Sequence, residues 1–195
     1  MVKLKGFFSS DEFKILWPFY LSMLISSIFF IFGPYMVIYF LEIGFSFFQI
    51  SILAIIFMIA PIIFEIPTGA IADVFGRKVS VILSDILTAI LLISLFFTVN
   101  YYVVLIIFLL LGIVKTLASG ADEAWVMDLL KYNKKQELTQ KYYIKMMTIS
   151  SLGVVLMGII SVFFVKYLGI RIIWVVSGFG ILIGSLIFVS SNLES

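Results

Sequence analysis

FFQISILAIIFMIAPIIFEIPTG, residues 47–69, carries a single carboxylate, Glu65, and no base. A helix needs about 20 mainly apolar residues to cross the roughly 30 Å of bilayer hydrocarbon, and this stretch supplies them without a break. Its apolar residues do not alternate, as the strands of a membrane barrel would. Nor do they keep to one stripe, as those of a soluble surface helix would. Lipid offers no hydrogen bonds, so the segment must satisfy its own amides, and a helix does so.

Outward from it, the same reasoning finds five more spans, at residues 15–41, 79–99, 102–127, 143–165 and 170–189. The expected fold is an all-α membrane protein of six transmembrane helices, a single domain over residues 1–195 embedded in a lipid bilayer. Composition points the same way: 63% of residues are hydrophobic, 12% are charged, and the mean hydropathy is +1.24. A soluble domain carries about 25% charged residues. Lys3 and Lys5 precede a first apolar run far longer than the core of about 7–15 residues in a cleavable signal peptide, so it reads as a retained span.

Absences narrow the chemistry. The net charge of +2 gives no polybasic face, and no nucleic-acid partner is expected. Without cysteine or histidine the chain builds no disulfide, no thiol nucleophile, no imidazole-held metal and no Ser-His-Asp triad. The expectation is no metal, no cofactor and no enzymatic activity. Any proton the protein carries must ride on a carboxylate.

Charge also sets the orientation. Lys3, Lys5, Lys14, Arg77, Lys78, Lys131, Lys134, Lys135, Lys141 and Lys145 fall at one set of span ends; only Lys166 and Arg171 fall at the other, and Lys115 lies within a span. Basic loops stay in the cytoplasm. A multi-pass protein of the cell membrane with both termini cytoplasmic is therefore expected. The polar stretch 131–141 reads as a solvated loop or as a short helix on the membrane surface.

Two stretches concentrate the remaining signal. Between spans 2 and 3 stands EIPTGAIADVFGRK, residues 65–78. Gly69 permits close helix approach, Asp73 ends span 2, Gly76 permits the reversal, and Arg77 and Lys78 open span 3. In span 4 stands KTLASGADEAWVMD, residues 115–128. Lys115, Ser119, Asp122 and Glu123 fall at i, i+4, i+7 and i+8, one face of a continuous helix. A charge near the bilayer centre costs about 2.5–3.5 kcal/mol on insertion scales, so it must face the bundle interior or a watery cavity. Glu65 and Asp85 add two carboxylates at the cytoplasmic third of spans 2 and 3.

The loop resembles the signature of the major facilitator superfamily, G-x-x-x-D-R/K-x-G-R-R/K. Gly69, Asp73, Gly76, Arg77 and Lys78 match in place, and Val74 departs where the family usually has a base. The span count and orientation resemble the N-terminal half of a usual member, built as a 3+3 repeat. The resemblance implies a secondary active transporter unit whose span 4 lines a central cavity. The family's span 4 base pattern, R-x-x-x-G, is met loosely by Lys115 and Gly120.

Two roles stay open for the carboxylates. Asp73, Arg77 and Asp128 form a cytoplasmic latch, with Glu65 and Asp85 tying spans 2, 3 and 4 together; or a carboxylate, Asp122 or Glu123, takes up and releases protons. Residues 119–125 look similar to span 4 of drug-efflux-like members, which implies proton-coupled export of small amphipathic compounds. Six spans would then work with a second six-span half or as a homodimer; the alternative is a truncated or non-transporting membrane subunit.

Weaker signals remain. Gly153 and Gly158 partly match an antiporter pattern of span 5, Gly180 and Gly184 fit close helix packing, and Gly33-Pro34 is expected to bend span 1. Tyr20, Ser27, Tyr35 and Tyr39 serve either a cavity or ordinary packing.

Overall fold

The computed structural model describes residues 9–190, without the side chains of residues 10, 11, 67 and 69–73. Six helical columns are long and apolar enough to cross a membrane. Column 1 is α1 (Ser10–Ile28) and α2 (Phe32–Glu42), and column 2 is α3 (Phe47–Phe75). Column 3 is α4 (Arg77–Leu95), and column 4 is α5 (Tyr101–Ala118) and α6 (Ala121–Tyr132). After a 3-10 turn at Gln136–Leu138 come α7 (Thr139–Leu168) and α8 (Ile172–Ser190), columns 5 and 6.

Local chemistry sets the helix ends. Ser9 and Glu12 form a capping box at the start of α1: Ser9 Oγ accepts from the Glu12 amide at 3.3 Å, and the Glu12 carboxylate accepts from the Ser9 amide at 3.4 Å. The Asn100 side chain accepts from the amides of Tyr102 and Val103 and starts α5. Gly76 alone joins α3 to α4, at φ +88°. The stretch 131–141 is the end of α6, a turn, the 3-10 turn and the start of α7, so no separate surface helix forms.

Two columns are broken: column 1, expected to bend at Gly33-Pro34, and column 4, expected to run through. Column 1 breaks at Phe29–Ile31, just ahead of Gly33-Pro34. The Pro34 ring excludes a helical carbonyl four residues back and needs no amide partner in the first turn of α2, so the break precedes the proline. Ser177 Oγ of α8 accepts from the freed Phe32 amide at 3.2 Å. Column 4 stops at Ala118, turns at Ser119 and Gly120, the latter at φ +73°, and restarts at Ala121.

Packing pairs α3 with α5, α4 with α8, and α1 with both α7 and α8, while α4 also lies against α5 and α6. Lipid removes the hydrophobic drive between helices, so close backbone approach takes its place. A Cβ at Gly153 of α7 would fall 2.5 Å from Ser27 Cβ of α1, and one at Gly180 of α8 would fall 2.0 Å from Phe29 Cβ. Pro61, having no N–H, leaves the Phe57 carbonyl without its intrahelical donor. Gly112 of α5 packs there, where a Cβ would lie 2.9 Å from that oxygen.

Two apolar cores result. One, around Tyr39, Phe40, Phe108 and Trp174, lies toward the Asn100 end; the other, around Phe19, Trp125, Leu130 and Phe188, lies toward the Arg77 end. Between them the packing opens into cavities.

Candidate functional site

Three cavities meet around the break in column 4. The first, of about 510 Å³, is lined by α2, α3, α4 and α5 with Trp174 of α8, and its charged lining residues are Asp85 and Lys115. The second, of about 370 Å³, lies between α1, α4, α6, α7 and α8, with Asp85, Asp122 and Glu123 in its wall. The third, of about 460 Å³, is bounded by Pro61 and residues of column 4, including Lys115, Ser119, Asp122 and Glu123. Asp85 is common to the first and second, Lys115 to the first and third, and Asp122 and Glu123 to the second and third.

The helical register explains the convergence. Asp85 stands eight residues into α4, about 12 Å from the Arg77 end at 1.5 Å per residue. Lys115 stands fourteen residues into α5, about 21 Å from the opposite end. In a layer of about 30 Å, the two lie at similar depth. The break then swings Asp122 and Glu123 into the first turn of α6, where a helix N-terminus favours negative charge. The four residues expected on one continuous face thus reach a common cavity by way of a turn.

Each carries its own contacts. Lys115 Nζ lies over the Phe57 ring, 5.4 Å from its centroid, a cation–π arrangement. Ser119 Oγ donates to Glu65 Oε1 at 3.3 Å, joining α3 to the turn in column 4. Asp85 lies within electrostatic reach of Asp122, and Tyr143 beside Glu123.

At the Arg77 end, Arg77 pairs with Asp128 and donates to the Ala124 carbonyl at 2.7 Å, binding α4 to α6. The surroundings of Gly69 and the side chain of Asp73 are outside what the structure describes, and only the backbone of both, within α3, is on view. Gly76 supplies the reversal ahead of Arg77 and Lys78.

Tyr20, Ser27, Tyr35 and Tyr39 line none of these three cavities. Tyr35 Oη and Ser161 Oγ share a hydrogen bond of 3.3 Å, Ser27 Oγ donates to Ser150 Oγ at 3.4 Å, and Tyr39 sits in the first core. Sequence reasoning passed over Glu12, which is 1% exposed, accepts from Tyr20 Oη at 2.9 Å and pairs with Lys145 of α7. Its one sequence signal was the capping box, Ser9 and Glu12 at the edge of the first apolar run.

Six membrane-crossing helices, two of them broken beside charged cavities, define a polytopic helical membrane protein with an ionisable interior. A model of the Major Facilitator Superfamily matches residues 19–192, and the chain belongs to that superfamily. It is 31% identical over 97 residues to the "Uncharacterized MFS-type transporter YxaM" of Bacillus subtilis, a match over 49% of this chain and 24% of that relative. The matched part is thus about a quarter of the relative's length. No solved structure gives a significant match.

Proposed function

We propose that the chain is one six-span unit of a proton-coupled secondary transporter that exports small amphipathic compounds, working with a second six-span half or a second copy. The observation that carries this reading is the placement of Asp85, Lys115, Asp122 and Glu123 at the partitions of three adjoining cavities, inside a bundle of the superfamily. Ionisable groups at membrane depth are costly and mark transport paths by default. Broken membrane helices accompany such sites, because an interrupted backbone is tolerated where it lines a cavity. Asp122 and Glu123 are the proposed proton carriers. Arg77 and Asp128 are the proposed cytoplasmic gate, with Gly69, Asp73, Gly76 and Lys78 completing its loop. Both termini face the cytoplasm of a cell membrane in this reading, which the distribution of lysines supports.

The test is reconstitution into liposomes, alone and with a coexpressed six-span partner. A pH gradient is expected to drive movement of a fluorescent amphipathic dye, and Asp122→Asn with Glu123→Gln is expected to abolish it. Gradient-independent flux would remove the proton coupling. No flux under either condition would favour a non-transporting membrane subunit.

A further inference from the structure

Among the residues lining the three cavities, three acids (Asp85, Asp122 and Glu123) stand against one base, Lys115. The formal charge of the combined lining is therefore negative, with the excess on the second cavity's side of Asp85, since Asp85 and Lys115 balance within the first. No group of three carboxylates among the described residues converges closely enough to hold a metal ion. The largest of the three, about 510 Å³, is of the size that takes a drug-sized organic molecule. Phe30, Met36, Phe57, Phe108 and Trp174 bound it. Aromatic faces attract cations, and methionine adapts to varied apolar shapes. Trp174 is fully buried in that wall, stacked on Phe32 at 5.8 Å and edge-on to Tyr39 at 5.4 Å. Asp85 is the partition between this apolar space and the acidic cavity that Asp122, Glu123, Tyr142 and Tyr143 line without any base.

We infer that the substrate class is an amphipathic organic cation, its apolar body among the aromatic rings of the larger cavity and its positive charge at Asp85. The assignment rests on the transporter reading above and adds to it the sign and shape of the cargo. Lys115, on the wall of the same cavity, then acts against the cargo: it sets the affinity by repulsion and keeps the cation toward Asp85.

Equilibrium dialysis of the detergent-purified chain against radiolabelled tetraphenylphosphonium and the equally sized anion tetraphenylborate tests this. The cation is expected to bind saturably and the anion not. Asp85→Asn is expected to weaken the cation about tenfold, the loss expected of one charge at short range in a partly screened site. Lys115→Gln is expected to tighten it several-fold, and Glu42→Gln, outside all three cavities, to leave it unchanged. Opposite shifts from two neutralising substitutions cannot come from misfolding. Equal binding of both ions, preference for the borate, shifts of the same sign in both variants, or no saturable binding of either ion would each overturn the assignment. The transporter reading survives any of these results if pH-driven flux of an uncharged solute persists, and falls separately if all flux is absent.

Discussion

Glu12 and Lys145 show what one ion pair does where water is scarce. Breaking such a pair from one side strands a charge and costs about 3–5 kcal/mol, whereas replacing both partners with apolar groups is close to neutral. Lys145→Met is therefore expected to lower thermal stability in detergent sharply, and Glu12→Met with Lys145→Met to recover part of the loss, the remainder being the Tyr20 hydroxyl and the Ser9 cap that also lose Glu12. Equal loss in the single and double variants would show that the pair is not the source. Arg77 and Asp128 are the contrasting case, with side chains 39% and 51% exposed. Solvent screening limits such a pair to about 1 kcal/mol or less, so a double-mutant cycle on unfolding should return a coupling below that bound. Its service to a gate would lie in being easily broken. Gly76, at φ +88° with nothing within 4 Å of a would-be Cβ, has room for a side chain but not the backbone for one. Gly76→Ala is expected to cost about 1–3 kcal/mol from that backbone alone, since positive φ with an extended ψ of 150° is essentially open only to glycine.

Among the elements, the six columns are held by glycines set into neighbouring backbones. Gly180→Ala places a methyl 2.0 Å from Phe29 Cβ, and such overpacking costs about 1–3 kcal/mol. Gly158→Ala, in the interior of α7 with open space around it, should keep or raise the unfolding temperature, alanine being the better helix former; a matching drop in both variants would refute the packing account. Proline placement marked a break in column 1 on chemistry readable from residue order. The break in column 4 carried no proline. Ser119-Gly120 reads as an unremarkable small pair, and the turn is held by Glu65, fifty-four positions away. A contact of that span leaves no local trace.

For the molecule as a whole, orientation is open to a clean measurement because the chain has no cysteine. Single cysteines at Glu137 and Val99, both exposed and outside the hydrocarbon-length helices α5 and α7, report the two membrane faces. A membrane-impermeant maleimide is expected to label Val99→Cys in intact cells, and Glu137→Cys only in inverted vesicles. The reverse pattern would reverse the topology. The lysine distribution predicts this outcome, since basic loops resist translocation.

Hydropathy and the signature loop made the six spans, the all-helical class and the superfamily legible from residue order, because a run of apolar residues in lipid has one way to satisfy its backbone. The candidate residues of column 4 could be singled out as well, because charge at that depth is expensive anywhere. Tertiary structure alone decided which of those charges meet. Asp85 on α4 reaches the same partitions as Lys115 and Asp122 only because α4 packs on both halves of a broken column. Glu12, a residue at the rim of the first apolar run, became a buried anion only once α7 brought Lys145 to it. Solvent preference is a property of each segment and is written locally. The partner of a buried charge is a property of the packed bundle.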